Sequence, residues 1–270
     1  MNPLYIGGQW VTTDNHLDVT FPYDGSIIGT VCQAGLKEVD QAIEAAQQGF
    51  EKTKALHPYE RADVLRFITS KLQEQHEEFS QLLCRENGKT INEARIEITR
   101  CVTTFQIAIG EAERMYGESY DLGVNALSKG RHAIVKKFPA GIVAGICPFN
   151  FPMNLAAHKI APAIATGCPI IIKPASATPL TMLMFAKIME ESDWPKEAFS
   201  VVPADRHVGQ QLVEDDRIAV LSFTGSPHVG WNMKNQAGKK KVVLELGGNA
   251  ALIIDKNVSD WDWVISRSLM

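Results

Sequence analysis

Residues Gly141 to Pro174 read GIVAGICPFNFPMNLAAHKIAPAIATGCPIIIKP, a pattern of strand, tight turn, helix and second strand. Ile142 to Cys147 is an apolar run. Pro152 opens a helix to about Ala165, its missing N–H costing nothing at a first helical position. Pro169 to Lys173 is the second apolar run. Between strand and helix, Pro148-Phe149-Asn150-Phe151-Pro152 holds one asparagine between two prolines and two phenylalanines. That leaves Asn150 little conformational freedom, with an amide aimed at whatever lies above the strand end, a position suited to stabilising an oxyanion.

The alternation continues downstream. A helix opens at Thr178-Pro179, followed by strand Phe199 to Val202, helix His207 to Glu214, strand Ile218 to Phe223, a helix opened by Ser226-Pro227, and strand Val242 to Leu246. Strands alternating with helices predict an α/β fold with a doubly wound, mostly parallel sheet and right-handed crossovers. Such sheets bind ligands beyond the carboxyl ends of their strands. The residues to watch are therefore Asn150, Lys173, Pro203, Thr224 to Ser226 and Glu245 to Gly248.

Upstream, Leu4 to Val31 contains Gly7-Gly8 and Asp24-Gly25 among β-formers and predicts short strands laid over a larger body. Leu65, Ile68, Leu72, Phe79 and Leu83 fall on one stripe and predict a single long helix from Ala62 to Leu83. Thr90 and Glu93 have capping-box spacing at the start of a second long helix, whose stripe includes Ile91, Ala94, Ile98, Cys101 and Phe105. Cys101 is read as core. Arg100 lies at the stripe's edge, either a solvated or ion-paired side chain or a substrate anchor. Ser119 to Phe138 breaks the helical pattern and predicts a protruding β-hairpin, a common kind of subunit contact.

The 270 residues, 45% hydrophobic and 21% charged, suffice for a sizeable core, and a formal charge of -4 gives no reason to expect nucleic acid or an anionic membrane as partner. No apolar run approaches a bilayer span, and the N-terminus lacks a signal-peptide pattern, so a cytoplasmic location is expected. Five scattered cysteines and seven dispersed histidines suggest no disulfide framework and no metal.

Three further strand-end features could carry chemistry. Phe223-Thr224-Gly225-Ser226 ends a strand where a helix begins, so exposed amides suit a phosphate, although Ser226 could equally be a helix cap. Lys173, after three isoleucines, suits ribose hydroxyls or phosphate, and Ser176 either touches the same ribose or is a plain loop serine. Glu245, at the end of an apolar strand beside Gly247-Gly248, is either a general base raised toward neutrality by burial or a cap for nearby amides. Cys147 lies near Asn150 but reads as a small buried residue.

PFNFP, KPxxxTP, FTGS and LELGG in this order resemble the aldehyde dehydrogenase superfamily, over essentially the whole chain. The stretch NLAAHKIAPAIATG is most similar to the lactaldehyde, phosphonoacetaldehyde and non-phosphorylating glyceraldehyde-3-phosphate branches. The resemblance implies NAD(P)-dependent oxidation of an aldehyde to a carboxylic acid. It makes Asn150 the oxyanion amide and Glu245 the base for deacylation. On the cofactor it puts Lys173 and Ser176 at the ribose, Ser226 at the pyrophosphate, and Gly225 at a close approach, with Pro148, Phe149 and Gly247 of the same motifs nearby. Many NAD-preferring members have Glu where this chain has Ser176, so NADP should be tolerated and could be preferred over NAD. Arg100 and His158 are candidates for an anionic substrate tail. The implied organisation is a cofactor-binding domain of residues 1–118 and 139–247, an oligomerisation hairpin of 119–138 making a homo-oligomer, and the start of a truncated catalytic domain at 248–270. The family's cysteine nucleophile belongs to a GQxC motif that this sequence does not contain, so residues 1–270 alone are expected to be inactive. A non-catalytic nucleotide-binding module and a CoA-acylating relative are the alternatives.

Overall fold

A computed structural model describes residues 1–269; Met270, the last residue of the segment expected to begin a catalytic domain, lies outside the described residues. The chain runs β1 (Leu4–Ile6), β2 (Gln9–Val11), β3 (His16–Thr20), β4 (Ile27–Cys32), then four helices, α1 (Leu36–Thr53), α2 (Pro58–Glu74), α3 (His76–Asn87) and α4 (Ile91–Glu113). The ribbon β5 (Glu118–Asp121) and β6 (His132–Val135) follows. The alternating part is β7 (Ile142–Ile146), α5 (Pro152–Thr166), β8 (Ile170–Lys173), α6 (Leu180–Glu191), β9 (Phe199–Val201), α7 (Arg206–Glu214), β10 (Ile218–Gly225), α8 (Pro227–Gln236) and β11 (Lys241–Leu246), with α9 (Trp261–Ser268) last.

Seven strands form one sheet in the order β11-β10-β7-β8-β9-β1-β2. From β11 to β9 every pairing is parallel, and β1 joins β9 and β2 antiparallel. The expected doubly wound α/β sheet is what the structure shows. Side chains of β7 and β8 alternate between two cores, as the two-residue strand period requires. Val143, Ile170 and Ile172 face the layer of α2 to α6, while Ile142, Ala144, Ile146 and Ile171 face α1 and α7.

Three upstream expectations can be compared. The β5–β6 ribbon is antiparallel, with Glu118 opposite Val135, as a hairpin requires. The N-terminal strands do not simply lie over the body: Leu4, Tyr5 and Ile6 are fully or nearly fully buried, and β1 extends the main sheet by covering the edge of β9. The helix expected from Ala62 to Leu83 is two helices, broken at Gln75. Gln73 to Glu78 contains no apolar side chain, so no packing holds the two halves straight, and α3 turns to pack on α4 and α6.

Buried carboxylates join the helical layer to the sheet. Glu97 of α4 accepts from the Met153 and Asn154 N–H groups at 2.9 and 3.0 Å, in the first turn of α5. Glu86 of α3 accepts from the Leu180 and Thr181 N–H groups at 2.7 and 3.0 Å and from the Thr181 hydroxyl, in the first turn of α6. Each supplies acceptors to helix-terminal donors that have no intrahelical partner.

Candidate active site

The carboxyl ends of β7, β8 and β10 surround a cleft of about 490 Å³. Pro148, Phe149, Lys173, Ser176, Gly225 and Ser226 all line it, so six of the seven residues expected on the cofactor side converge in one place. Gly247 is the exception. It follows β11, exposed to solvent, with its N–H donating to the Gly225 carbonyl at 3.2 Å.

Lys173 is buried at the end of β8, its ammonium 3.4 Å from the Pro174 carbonyl. Burial pushes its pKa down, while Cys147 and Asp205 act in the opposite direction. A poorly satisfied cation opening into a cleft is suited to hydroxyl or phosphate oxygens. Ser226 occupies the N-cap of α8 with Pro227 next, yet its hydroxyl makes no capping bond. Ser226 therefore lines the cleft with its hydroxyl free of the role that a plain cap would give it, at a helix N-terminus. Gly225 has a packing reason beside its place in the cleft, since a Cβ there would fall 2.4 Å from the Phe223 ring. Cys147 is buried, its thiol pushed up to about 11, as a core residue and not a nucleophile would be.

Asn150 stands in a bend between β7 and α5 and is exposed. The main chain around it is held from α3 and the turn after it. Asn87 Nδ2 donates to the Phe149 carbonyl at 2.6 Å, and Lys89 Nζ donates to the Asn150 carbonyl at 2.9 Å. Gly88, at φ +81°, reverses the chain between these two donors.

Glu245 departs from expectation. It is exposed, not buried, so the burial on which the general-base reading drew is absent. The reason is its place on the edge strand: Lys241, Val243 and Glu245 share the exposed face, which α5 borders at His158 without covering it, while Val242, Leu244 and Leu246 are partly buried against the opposite core. Glu245 lies directly across from Thr224 in the β10–β11 pairing. Thr224 Oγ1 in turn accepts from Lys159 Nζ at 2.6 Å, and Lys159 is buried, with its pKa pushed down by that burial. His158, exposed beside it, also has a lowered pKa: desolvation is the main cause, Glu245 opposes it, and Lys159 and Arg100 add to it. Arg100 is exposed, its guanidinium 5.7 Å from the centre of the Phe151 ring.

Four residues of this region escaped sequence reading. Glu97 sits among Ala94, Ile98 and Cys101 on the buried stripe of α4, and a carboxylate at a stripe position was the available signal. Lys89 and Lys159 have no local signature. Arg206 lines the cleft from the first turn of α7, where a cation opposes the helix dipole, and that mismatch was legible. Among the described residues no group of His, Cys, Asp and Glu converges as metal ligands, and no helix is long and apolar enough to cross a membrane.

Comparison with known proteins agrees with the fold and the motif order. The family model described as "Aldehyde dehydrogenase family" matches residues 10–270, and the chain belongs to that family. It is 38% identical over 255 residues to the 3-sulfolactaldehyde dehydrogenase of Priestia aryabhattai, covering 94% of this chain and 53% of the relative. It is 36% identical over 263 residues to the lactaldehyde dehydrogenase of Methanococcus aeolicus, covering 95% and 55% respectively. Aldehyde dehydrogenase 21 of Physcomitrella patens, solved with the reaction product succinate, superimposes with a TM-score of 0.95 at 45% identity, over 98% of this chain and 56% of that one. Betaine aldehyde dehydrogenase of Staphylococcus aureus, solved with NAD+, gives 0.87 at 30% identity over 92% and 50%. An E. coli NADP dependent enzyme gives 0.88 at 35% over 92% and 52%. The chain thus spans about half the length of the curated relatives it matches.

Proposed function

We propose that this chain is the cofactor-binding part of an NAD(P)-dependent aldehyde dehydrogenase that oxidises an anionic aldehyde to its carboxylic acid. The observation that carries the reading is the convergence of Lys173, Ser176, Gly225 and Ser226 on one cleft at the strand ends. The lining suits a dinucleotide: a buried cation with one weak partner, a serine whose hydroxyl makes no capping bond and the N-terminus of a helix border the same cleft. When bound, the nicotinamide would accept the hydride. Lys173 and Ser176 would hold the adenosine ribose and Ser226 the pyrophosphate. Arg206, which lines the same cleft, offers it a further cation, which supports NADP as a ligand.

Asn150 would donate its side-chain amide to the oxygen that becomes negative when a thiolate attacks the aldehyde. Glu245 would take a proton from the water that releases the acid, once a covering element excludes solvent from its face. The thiolate is expected from the GQxC motif of the family, which residues 1–270 lack. Arg100 would supply charge to the substrate's anionic end, and His158, its pKa lowered, would donate a hydrogen bond as the neutral ring. Relatives named for 3-sulfolactaldehyde and lactaldehyde, and a structural match holding succinate, support a small, oxygen-rich or acidic substrate class. The β5–β6 ribbon, with Ile134 and Val135 exposed, is proposed as a contact between subunits.

Calorimetric titration of this chain with NADP and with NAD tests the reading. Binding of at least one, with no aldehyde turnover by these residues alone and turnover once the catalytic half is supplied, is the expected result. Absence of any binding would overturn it. Ser176→Glu should shift preference toward NAD by about 10-fold, because a carboxylate repels a 2'-phosphate and accepts from both ribose hydroxyls. An unchanged ratio would remove Ser176 from cofactor selection.

A further inference from the structure

We propose that Lys89 and Glu97 are positioning residues that hold the Asn150 turn in register with the strand ends. Lys89 is the centre of the arrangement. Its ammonium pairs with Glu97 Oε2, donates to the Asn150 carbonyl at 2.9 Å, and lies 4.3 Å from the centre of the Phe151 ring. The other oxygen of Glu97 accepts from Met153 and Asn154 at the start of α5. Asn87, two residues before Lys89, bonds the Phe149 carbonyl at 2.6 Å. The main chain on both sides of Asn150 is therefore tied to the end of α3, the turn after it and the first turns of α4.

Capping alone does not account for this. Phe151 stands at the N-cap of α5 with no side-chain acceptor, and Glu97 supplies one. Glu86 does the same for α6 without an ion pair among the described residues, so a helix start can be anchored here without a cation. Lys89 adds a bond to the carbonyl of the very residue whose amide is proposed to meet the oxyanion. The Lys89–Glu97 pair is dry, with side-chain exposures of 8% for Lys89 and 0% for Glu97, so the ammonium is anchored from the protein side while its bond to the Asn150 carbonyl lies at the surface. An oxyanion donor contributes only if it is already placed when charge develops, to within about 0.5 Å, and a donor on a turn needs a second set of contacts to reach that precision.

The experiment is 15N relaxation on this chain, read at the backbone amides of Asn150 and Phe151, for the parent, Lys89→Met and Lys89→Met/Glu97→Gln. The double variant removes the unpaired buried charge and keeps a carbonyl oxygen for the N–H groups of α5, so it should recover most of the melting temperature lost in the single variant. Expected is a fall in order parameter from about 0.85 to below about 0.6 in both variants, persisting when melting recovers. Order that returns with stability, or that never falls in the double variant, would overturn the proposal, because a merely structural pair behaves that way. The inference rests on the oxyanion role of Asn150, and the two fail separately. Unchanged aldehyde turnover in Asn150→Ala, measured with the catalytic half supplied, would remove that role, whereas unchanged order at Asn150 would remove the clamp.

Discussion

Glu97 and Glu86 both leave the helical layer to receive N–H groups in the first turn of a helix that follows a sheet strand, α5 after β7 and α6 after β8. Each fixes a segment that carries a candidate site residue: Asn150 is three residues before Met153, and Ser176 four before Leu180. Their electrostatic surroundings differ. Glu97 faces the ammonium of Lys89. The hydrogen-bond partners of Glu86 among the described residues are dipoles, two N–H groups and the Thr181 hydroxyl. Burial pushes the Glu86 carboxyl up to about 7 despite those donors, and the charge on Glu97 adds to the rise. Dipoles at a helix start thus offset only part of the cost of drying the Glu86 carboxyl, whereas Glu97 has a cation in contact as well as the N–H groups. Where the turn carries the proposed oxyanion donor, the chain uses a cation that also grips the turn.

The largest break in this comparison comes from deleting that cation. Lys89→Met should cost about 3–5 kcal/mol, because Glu97 is left as an uncompensated buried charge. Urea unfolding with an unchanged m-value measures it, and a loss below about 1 kcal/mol would mean the two carboxylates are equivalent after all. The pH dependence of Glu86 is the next effect. Its folded pKa of about 7 lies above the ordinary 4.5, so the folded chain holds a proton that the unfolded chain releases in that window. Its contribution is therefore most favourable below about pH 4.5 and is lost as pH rises to 7, by up to about 3 kcal/mol. Subtracting the stability curve of Glu86→Gln from that of the parent isolates the change. A flat difference between pH 4.5 and 7 would show that Glu86 does not take up a proton in this range.

What the sequence disclosed follows the range of the interactions involved. The strand ends, the Thr90–Glu93 capping box and the hairpin rest on neighbours a few residues apart, and the structure has all three. Convergence of Lys173, Ser176 and Ser226 on one cleft was also legible, because parallel strands bring their ends together whatever the helices between them do. The clamps were not. Glu97 meets a partner 56 residues away and Glu86 one 94 away, and no local period encodes that. Both nevertheless stand on buried stripes, Glu86 three residues after Leu83 and Glu97 three after Ala94, so an acidic side chain in an apolar register marks where a distant donor must be found. The exposure of Glu245 was hidden for the opposite reason: an apolar strand reads the same whether or not anything covers its second face.

Thr181 offers the finest test. Its hydroxyl and its N–H both reach one oxygen of Glu86, so Thr181→Val removes a single donor while keeping shape and the main-chain bond. A bond to a neutral carboxyl contributes about 1 kcal/mol, and one to a carboxylate about 2. The loss should then be about 1 kcal/mol at pH 5, where Glu86 holds its proton, and about 2 at pH 8, where it does not. Removing a donor that pulls the pKa down should also move the bend of the stability curve to higher pH. Losses that are equal at the two pH values would mean that Glu86 does not change its charge between them. The contrast with the lysine-paired Glu97 would then lie in the geometry of the turn and not in the charge state of the carboxylate.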